Sequence, residues 1–544
     1  MMETQEMPGR STAARGRIRT LLRRWPHALA GLVSAGLLFG VAELISAFFS
    51  TSSSPLVALG GAFIDITPPW LKDFAIATFG TNDKLALFIS MGIVATLVAA
   101  AIGLLARSRF GLAQGAILVL AVGMAAAVLS RPATGILDIV PTVVGAVAGI
   151  AALLYVSRLA ASSAQVGSRT SPGEAEEHDG DQARKPASSS RRRFLTVSIV
   201  TAVGAGVMLA GGRALSGVRN AAATTREALR LPRPANQATP LPEGVGAEVK
   251  GMPSFVTPND SFYRIDTALA VPRIDPASWT LRVHGMVEEE FSIGFDELLG
   301  MELDETWLTL TCVSNPVGGD LVGNAKWLGY PLRKLLERAR PQQGADMVLS
   351  TSIDGFSAST PLEVLTDDRQ ALLAVGMNDE PLPLEHGYPV RMVVPGLYGY
   401  VSATKWVVDL EVTRFADKAA YWTTRGWDDH GPIKLASRVD VPRPFSTVSA
   451  GTVMLGGTAW AQTRGIKGVE IKIDDGEWQK VDMATEASVD TWRQWSYEWK
   501  GAKEGTHSAT VRAIDADGTV QTEKRADPVP NGASGWQRVQ FTVG

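Results

Sequence analysis

Apolar residues run almost unbroken through 28–49, 85–106, 112–130 and 136–156. Each run approaches the roughly 20 residues that an α-helix needs to cross a bilayer. A fifth run, 194–212, follows a polar interval. Beyond it the pattern breaks into short alternating segments. Strands are predicted over 279–285, 345–352, 389–395 and 406–413, and short helices over 331–339 and 361–365. From about residue 433 the helical pattern stops. Runs at 452–461, 468–473, 495–499, 507–515 and 537–543, separated by Gly/Asp turns, predict an all-β sandwich. Asp474-Asp475-Gly476-Glu477 is a hairpin turn signal within it.

Charge orients the apolar half. Arg15, Arg17, Arg19, Arg23 and Arg24 precede the first run, Arg107 and Arg109 separate the second from the third, and Arg158, Arg184, Lys185 and Arg191 to Arg193 separate the fourth from the fifth. The 50–84 loop carries only Lys72 and Lys84, offset by Asp65, Asp73 and Asp83. The positive-inside rule then predicts five crossings, an inside N-terminus and everything beyond Gly212 outside. Residues 55–70, apolar but Pro-bearing, read as a re-entrant or interfacial segment. Glu43 and Asp138 fall within or near spans, where carboxylates are functional candidates by default. His27 is the only histidine in the predicted spans, so no haem held by paired histidines is expected.

The interval 161–193 is rich in Ser, Gly, Glu and Asp and reads as a disordered cytoplasmic linker. It ends in Ser190-Arg191-Arg192-Arg193-Phe194-Leu195 before an apolar run, the pattern of a twin-arginine export signal, here internal. A basic flank that merely orients the fifth span would look the same. A net charge of −3 over 544 residues gives no footing for nucleic-acid binding.

Cys312 is the only cysteine. It excludes an intramolecular disulfide and any CxxC metal or Fe–S pattern. By residue type alone it reads as a small buried hydrophobe. Its surroundings change that reading. Asn259-Asp-Ser-Phe262-Tyr263-Arg264 comes first, then Thr309-Leu-Thr-Cys312-Val-Ser-Asn315-Pro-Val-Gly, then Gly323-Asn-Ala-Lys326-Trp327-Leu-Gly329-Tyr-Pro-Leu332. Leu384-Glu-His386-Gly387-Tyr-Pro389-Val-Arg391-Met-Val-Val-Pro395-Gly396 and Lys405-Trp406 follow.

This ordered set resembles the sulfite oxidase superfamily of molybdopterin enzymes over about 244–544. The run Gly456-Gly-Thr-Ala459-Trp460 resembles part of that family's dimerisation domain. The resemblance implies a molybdenum-molybdopterin cofactor with Cys312 as the metal's protein thiolate, a soft ligand for a thiophilic centre. It also implies that Asn259, Phe262, Tyr263, His386, Arg391, Ser402, Thr404 and Lys405 contact the pterin and its phosphate. Arg264 resembles an arginine that binds the substrate oxyanion; Arg425 and Arg438 are further candidates. The sequence departs from sulfite oxidases after the cysteine, where Val-Ser-Asn315-Pro-Val-Gly replaces a segment with a basic pair.

The expected fold is therefore multi-domain. An N-terminal α-helical transmembrane domain (1–160) is followed by the linker (161–193), a fifth span (194–212) and a second linker (213–243). An α+β molybdopterin domain of sulfite-oxidase type (244–430) and a C-terminal immunoglobulin-like β-sandwich (431–544) complete it. The expected protein is multi-pass in the plasma membrane, with its catalytic domain outside the cytoplasm. It would act on a small-molecule substrate and exchange electrons with a separate electron-transfer protein or quinone, and a homodimer is one expectation of the sandwich. Sulfite-type oxidation, reduction of sulfoxides or other oxygenated substrates, and a non-catalytic membrane receptor or scaffold all stay open at this stage.

Overall fold

The structure, a computed structural model, describes residues 25–49, 53–68, 71, 78, 83–131, 134–166, 188–218, 221–268 and 270–544. The basic flank at 15–24 and linker residues 167–187 lie outside the described residues. The chain divides into two units, Met1–Asn220 and Ala221–Gly544.

The first unit contains five helices long and apolar enough to cross a membrane: Trp25–Ser46, Leu85–Ala106, Phe110–Leu129, Ile136–Ala161 and Arg192–Leu215. The helix Trp25–Ser46 is their hub, packing against Asp83–Ala106, Val140–Val166 and Ser188–Val218. Small residues permit these approaches. A Cβ on Gly31 would lie 2.0 Å from the Ala99 carbonyl, and one on Gly103 would lie 2.1 Å from the His27 carbonyl. The segment read as re-entrant forms a helix, Pro55–Ile66, of 12 residues. Its N-cap, Ser54, donates to the buried Glu43 carboxylate at 2.5 Å. Asp138 sits in a turn ahead of its helix and accepts from the Gly135 amide at 2.8 Å.

The second unit begins before the predicted domain boundary. Residues 221–243, read as part of a linker, pack onto the second unit. The last span's helix runs on to Val218, and a further helix covers Ala221–Ala228. Arg226 of that helix donates to the Leu382 and Pro381 carbonyls at 2.8 and 2.9 Å. The Ala235 amide donates to Leu303 O at 2.7 Å.

Two sheets form the α+β part. One has the order β2-β1-β10-β5-β6, with β1 (Thr280–Gly285), β2 (Phe291–Gly294), β5 (Met347–Ser352), β6 (Ser357–Pro361) and β10 (Val407–Thr413). β1 and β10 are parallel. The other runs β3-β4-β7-β8, from β3 (Asp304–Thr311), β4 (Val322–Pro331), β7 (Leu372–Met377) and β8 (Glu380–Pro381), with β9 (Arg391–Val393) also pairing with β7. β7 is buried along its whole length, as its continuous Leu-Leu-Ala-Val-Gly-Met sequence demands. The helix Leu332–Ala339 buries Leu332, Leu335, Leu336 and Ala339 and turns its charged residues outward.

The C-terminal part is two sheets around one core that includes Leu455, Ile471, Trp495, Val511 and Phe541. A four-stranded sheet comprises β11 (Ala436–Val441), β13 (Gly451–Trp460), β17 (Arg493–Ala502) and β16 (Asp482–Met483). A five-stranded sheet comprises β12 (Thr447–Val448), β19 (Gln537–Val543), β18 (Gly505–Asp515), β14 (Ile466–Ile473) and β15 (Gln479–Lys480). The predicted hairpin joins β14 to β15, with Asp474 at φ 52°. Gly457 is required by packing: a Cβ there would meet Arg438 O at 2.0 Å and the Trp495 ring at 2.3 Å.

The sandwich braces the other part. Gln462 Nε2 donates to Thr309 O at 2.9 Å. The Trp492 amide donates to Thr309 Oγ1 at 2.8 Å, and its indole N–H to Phe255 O at 2.9 Å. β3, the strand held this way, ends one residue before Cys312.

Candidate active site

Cys312 starts the turn that returns β3 into β4. Its amide donates to Leu321 O at 3.0 Å, and its carbonyl accepts from the Asn315 amide at 3.1 Å. Asn315 Oδ1 accepts from the Leu321 amide at 3.0 Å, closing the loop from inside. Asn315 is thus a loop-forming residue, and the Pro-Val-Gly that follows it keeps the loop tight. Burial pushes the Cys312 thiol up, while hydrogen bonds from Ser314 act the other way.

A cavity open to solvent reaches this sulfur. The side chains of Phe262, Tyr263, His386, Arg391 and Lys405 line it together with Cys312. Three chain segments converge there. Gly323 makes room for the Phe262 ring, which a Cβ would meet at 2.7 Å. Phe262 stacks on Tyr263 at 5.2 Å and meets Trp327 and His386 edge-on at 5.9 and 5.6 Å. Gly387, at φ 108°, lets the chain double back. A Cβ there would lie 3.0 Å from Arg391 Cβ and 3.2 Å from Lys405 Cβ.

The electrostatics centre on Arg391. Its side chain is 5% exposed. Its hydrogen bonds go to three backbone carbonyls, His386 O at 3.2 Å, Met392 O at 3.3 Å and Ala403 O at 3.4 Å. Its guanidinium lies over the Trp327 ring at 5.2 Å. Among the described residues no carboxylate pairs with it. Burial lowers its pKa to about 10, against weak support from Tyr263. A buried cation without a counter-ion is costly, and this one faces a cavity of a size to admit an anion. Lys405 is compensated: Nζ lies 2.8 Å from Asp266 Oδ2 and 3.1 Å from Glu385 O. Burial nevertheless brings its pKa down to about 8. Burial also raises the Tyr263 phenol well above its usual range.

His386 is neutral, with a pKa lowered to about 4 by burial and by the nearby Arg391 and Lys405 charges. Its Nε2 lies 3.0 Å from Asn259 O, which can only accept, so Nε2 carries the proton. The unfolded histidine, near 6.5, takes up a proton that the folded one refuses. In the cofactor-free protein this contribution is complete above about pH 6.5 and is lost as the pH falls through about 4. The loss is about 3 kcal/mol. Denaturant midpoints measured across that window should show it, and His386→Gln should flatten that part of the curve.

The other expected contacts divide. Asn259 does not line the cavity; its amide donates to Met377 O at 3.3 Å and its Oδ1 accepts from Asn378 at 2.8 Å. It holds His386 from behind through its main chain. Ser402 and Thr404, expected at a phosphate, are fully buried away from the cavity wall. Ser402 donates to Tyr398 O at 3.0 Å, and Thr404 pairs with Ser350 at 2.7 Å. Thr404 is fully buried against Ser350, whereas the adjacent Lys405 lines the cavity. Arg264 is 40% exposed, off the cavity wall, and bonded to Asp266 at 2.8 Å. Arg425 lies 3.6 Å over the Tyr421 ring, and Arg438 pairs with Asp440 at 2.6 Å. The sequence did not single out Asp266, Asp354, Phe356 or Tyr400 at this cavity, and it passed over Trp422 and Trp427 beside Arg425. All six line it.

A molybdopterin-binding oxidoreductase domain is the class that comparison with protein families assigns to this part of the chain. The family described as the oxidoreductase molybdopterin binding domain matches residues 268–422. Mitochondrial sulfite oxidase of Rattus norvegicus is 28% identical over 342 residues, which are 53% of this chain and 62% of the rat protein. Sulfite oxidase of Arabidopsis thaliana is 25% identical over 328 residues, 50% of this chain and 83% of the plant protein. Among solved structures, the sulfane dehydrogenase SoxCD from Paracoccus pantotrophus is similar over 54% of this chain and 84% of its own, with a TM-score of 0.47 and 21% identity. Residues 268–422 are thus a molybdopterin-binding oxidoreductase domain, and the part of the chain around them is similar to sulfite oxidases. The chain spans 62% of the length of the first animal relatives it matches.

Proposed function

We propose that this chain is a membrane-anchored molybdenum-molybdopterin oxidoreductase that transfers an oxygen atom to or from a small extracytoplasmic substrate. One observation carries the reading. The only cysteine and a buried arginine with no carboxylate partner among the described residues line the same cavity. A thiolate for a soft metal and a cation for an anionic pterin phosphate are what such a cofactor asks of a protein.

When bound, the cofactor supplies the two-electron oxygen-atom chemistry. The chain's residues do the rest. Cys312 provides the metal's thiolate ligand. Arg391 compensates the pterin's negative charge, and Lys405, steadied by Asp266, provides a second cation. His386 donates to Asn259 O and so fixes the turn at Gly387, which packs against the Cβ atoms of Arg391 and Lys405. Tyr263, un-ionised, and Phe262 pack the floor. In the oxidative direction the substrate gains the oxygen of water, and two protons and two electrons leave. The electrons pass to a separate electron-transfer protein or quinone. Sulfite oxidation is the activity for which the relatives are named.

Residues 244–430 form the cofactor domain in this reading, and 431–544 an immunoglobulin-like sandwich that also serves as a dimer contact. The five apolar helices anchor the chain in the plasma membrane with the cofactor domain outside. The test is molybdenum content by mass spectrometry, with pterin fluorescence after oxidation, on full-length protein extracted from its native membrane. About one molybdenum per chain is the expected result. Protein without metal or pterin, from a host that makes the cofactor, would leave a receptor or scaffold. Recovery in the soluble fraction would remove the anchoring.

A further inference from the structure

The cavity that reaches Cys312 carries a second set of side chains to which the function proposed above gives no role. Trp422, Trp427, Tyr400 and Phe356 line it together. Trp422 and Trp427 flank a tight turn, Thr423–Arg425, closed by Gly426 at φ 90°. The amides of Arg425 and Trp427 donate to Trp422 O at 2.9 and 3.2 Å. The two indoles are held 6.2 Å apart, edge to face, and Tyr400 stands 5.8 Å from Trp427. Tyr400 is itself fixed, its hydroxyl donating to Asp428 O at 2.7 Å. This aromatic wall is therefore set before any substrate arrives. Ile265, 50% exposed, extends the apolar lining.

The nearby cations are occupied elsewhere. Arg264 is bonded to Asp266, and Arg425 lies on the Tyr421 ring; neither lines the cavity. Arg391 and Lys405 do line it, and in the function proposed above both serve the cofactor. What remains for a substrate is the aromatic and apolar wall together with neutral and acidic polar groups (Thr267, Ser314, Ser352, Asp266 and Asp354), with no uncommitted cation among the described lining residues. A bare inorganic oxyanion draws its binding from charge-assisted hydrogen bonds and gains little from such a wall. A substrate with methyl or aryl groups around its oxygen-accepting atom gains contact with it.

We propose that Trp422, Trp427 and Tyr400 seat the substrate, and that it is an organic oxygen-atom donor or acceptor with an apolar flank, not a bare inorganic oxyanion. This rests on the assignment of the cavity as the molybdopterin site.

The test uses full-length holoprotein in detergent, with molybdenum content measured on every sample. Methyl phenyl sulfide with an acceptor dye, and methyl phenyl sulfoxide with a reduced dye, are compared with sulfite by kcat/KM. Tryptophan fluorescence titrations with each compound supply a readout independent of turnover. Wild type should prefer one of the two organic probes over sulfite, and that probe should quench the tryptophan emission. Trp422→Ala and Trp427→Ala should each lower the organic-to-sulfite ratio about tenfold, mainly through KM, with Trp→Phe restoring most of it. A preference for sulfite in wild type, or alanine variants with full molybdenum and an unchanged ratio, would overturn the proposal. If the alanine variants fail to fold, the wild-type preference alone decides. Wild type lacking molybdenum would instead overturn the underlying assignment, an outcome distinguishable by metal content.

Discussion

Cys312→Ser should leave the fold intact and reduce turnover by at least about 100-fold. That floor comes from metal sites in general, where altering residues that merely support a ligand costs 10- to 100-fold; replacing the ligand itself should cost no less. Serine is close in size to cysteine. The residue's backbone contacts, its amide to Leu321 O and its carbonyl from the Asn315 amide, do not depend on the side chain. What changes is the donor. A hydroxyl does not ionise near neutral pH and is a hard ligand, whereas a thiolate is soft and suits a thiophilic metal. Burial alone holds the thiol in its protonated form, so a bound cation is what would favour its ionisation. Titration with a thiol reagent should therefore find Cys312 protected in metal-loaded wild type. A serine variant with full activity would return Cys312 to the status of a buried apolar residue.

The part of this site that was legible in the sequence was carried by ordered motifs and not by residue type: Cys312 alone reads as a buried hydrophobe, and it reads as a ligand only beside the segment from Leu384 to Gly396 and Lys405-Trp406. The structure brings Cys312, Arg391 and Lys405 to one cavity, with Gly387 packed against the two cations. The residues misplaced by sequence reasoning were judged by proximity along the chain. Ser402 and Thr404 adjoin Lys405, yet both hydroxyls are buried on neutral partners, Ser402 at the end of a short helix on Tyr398 O and Thr404 on Ser350. Arg264 looked like a free cation, but Asp266, two residues on, holds it and Lys405 through the same oxygen. The aromatic wall could not be read because Phe356, Tyr400, Trp422 and Trp427 come from three separate loops and short elements. Only the pairing of β5 with both β6 and β10 brings such segments together. The element pattern itself was largely visible: the apolar runs, the β-rich C-terminal part and the Asp474 hairpin follow from composition and period. The segment after residue 218 was missed because its few apolar residues give no periodic signal. Its attachment relies instead on Arg226 and on strand-edge contacts.

Arg391→Gln should separate holding the cofactor from holding the fold. In the cofactor-free protein the guanidinium is buried, bonded to three carbonyls and without a carboxylate partner among the described residues. Charge-assisted bonds of 3.2 to 3.4 Å to neutral acceptors return only part of the desolvation cost. A glutamine can donate to one of the same carbonyls and introduces no charge, so the metal-free variant should unfold within about 1 kcal/mol of wild type. The loaded protein should behave differently. Losing a buried charge-assisted contact to an anion costs about 1.5–3 kcal/mol, or roughly 10- to 150-fold in affinity. The molybdenum-to-protein ratio after dilution and gel filtration should fall accordingly. Arg391→Lys should retain an intermediate amount, because it keeps the charge but loses the planar fork. The contrast between the two states discriminates between the readings. A residue that only supports the fold would lower stability in both forms alike, whereas an anion-binding residue lowers it only in the loaded one. Equal destabilisation of both forms by Arg391→Gln, with molybdenum retained, would show that the Arg391 charge does not hold the cofactor.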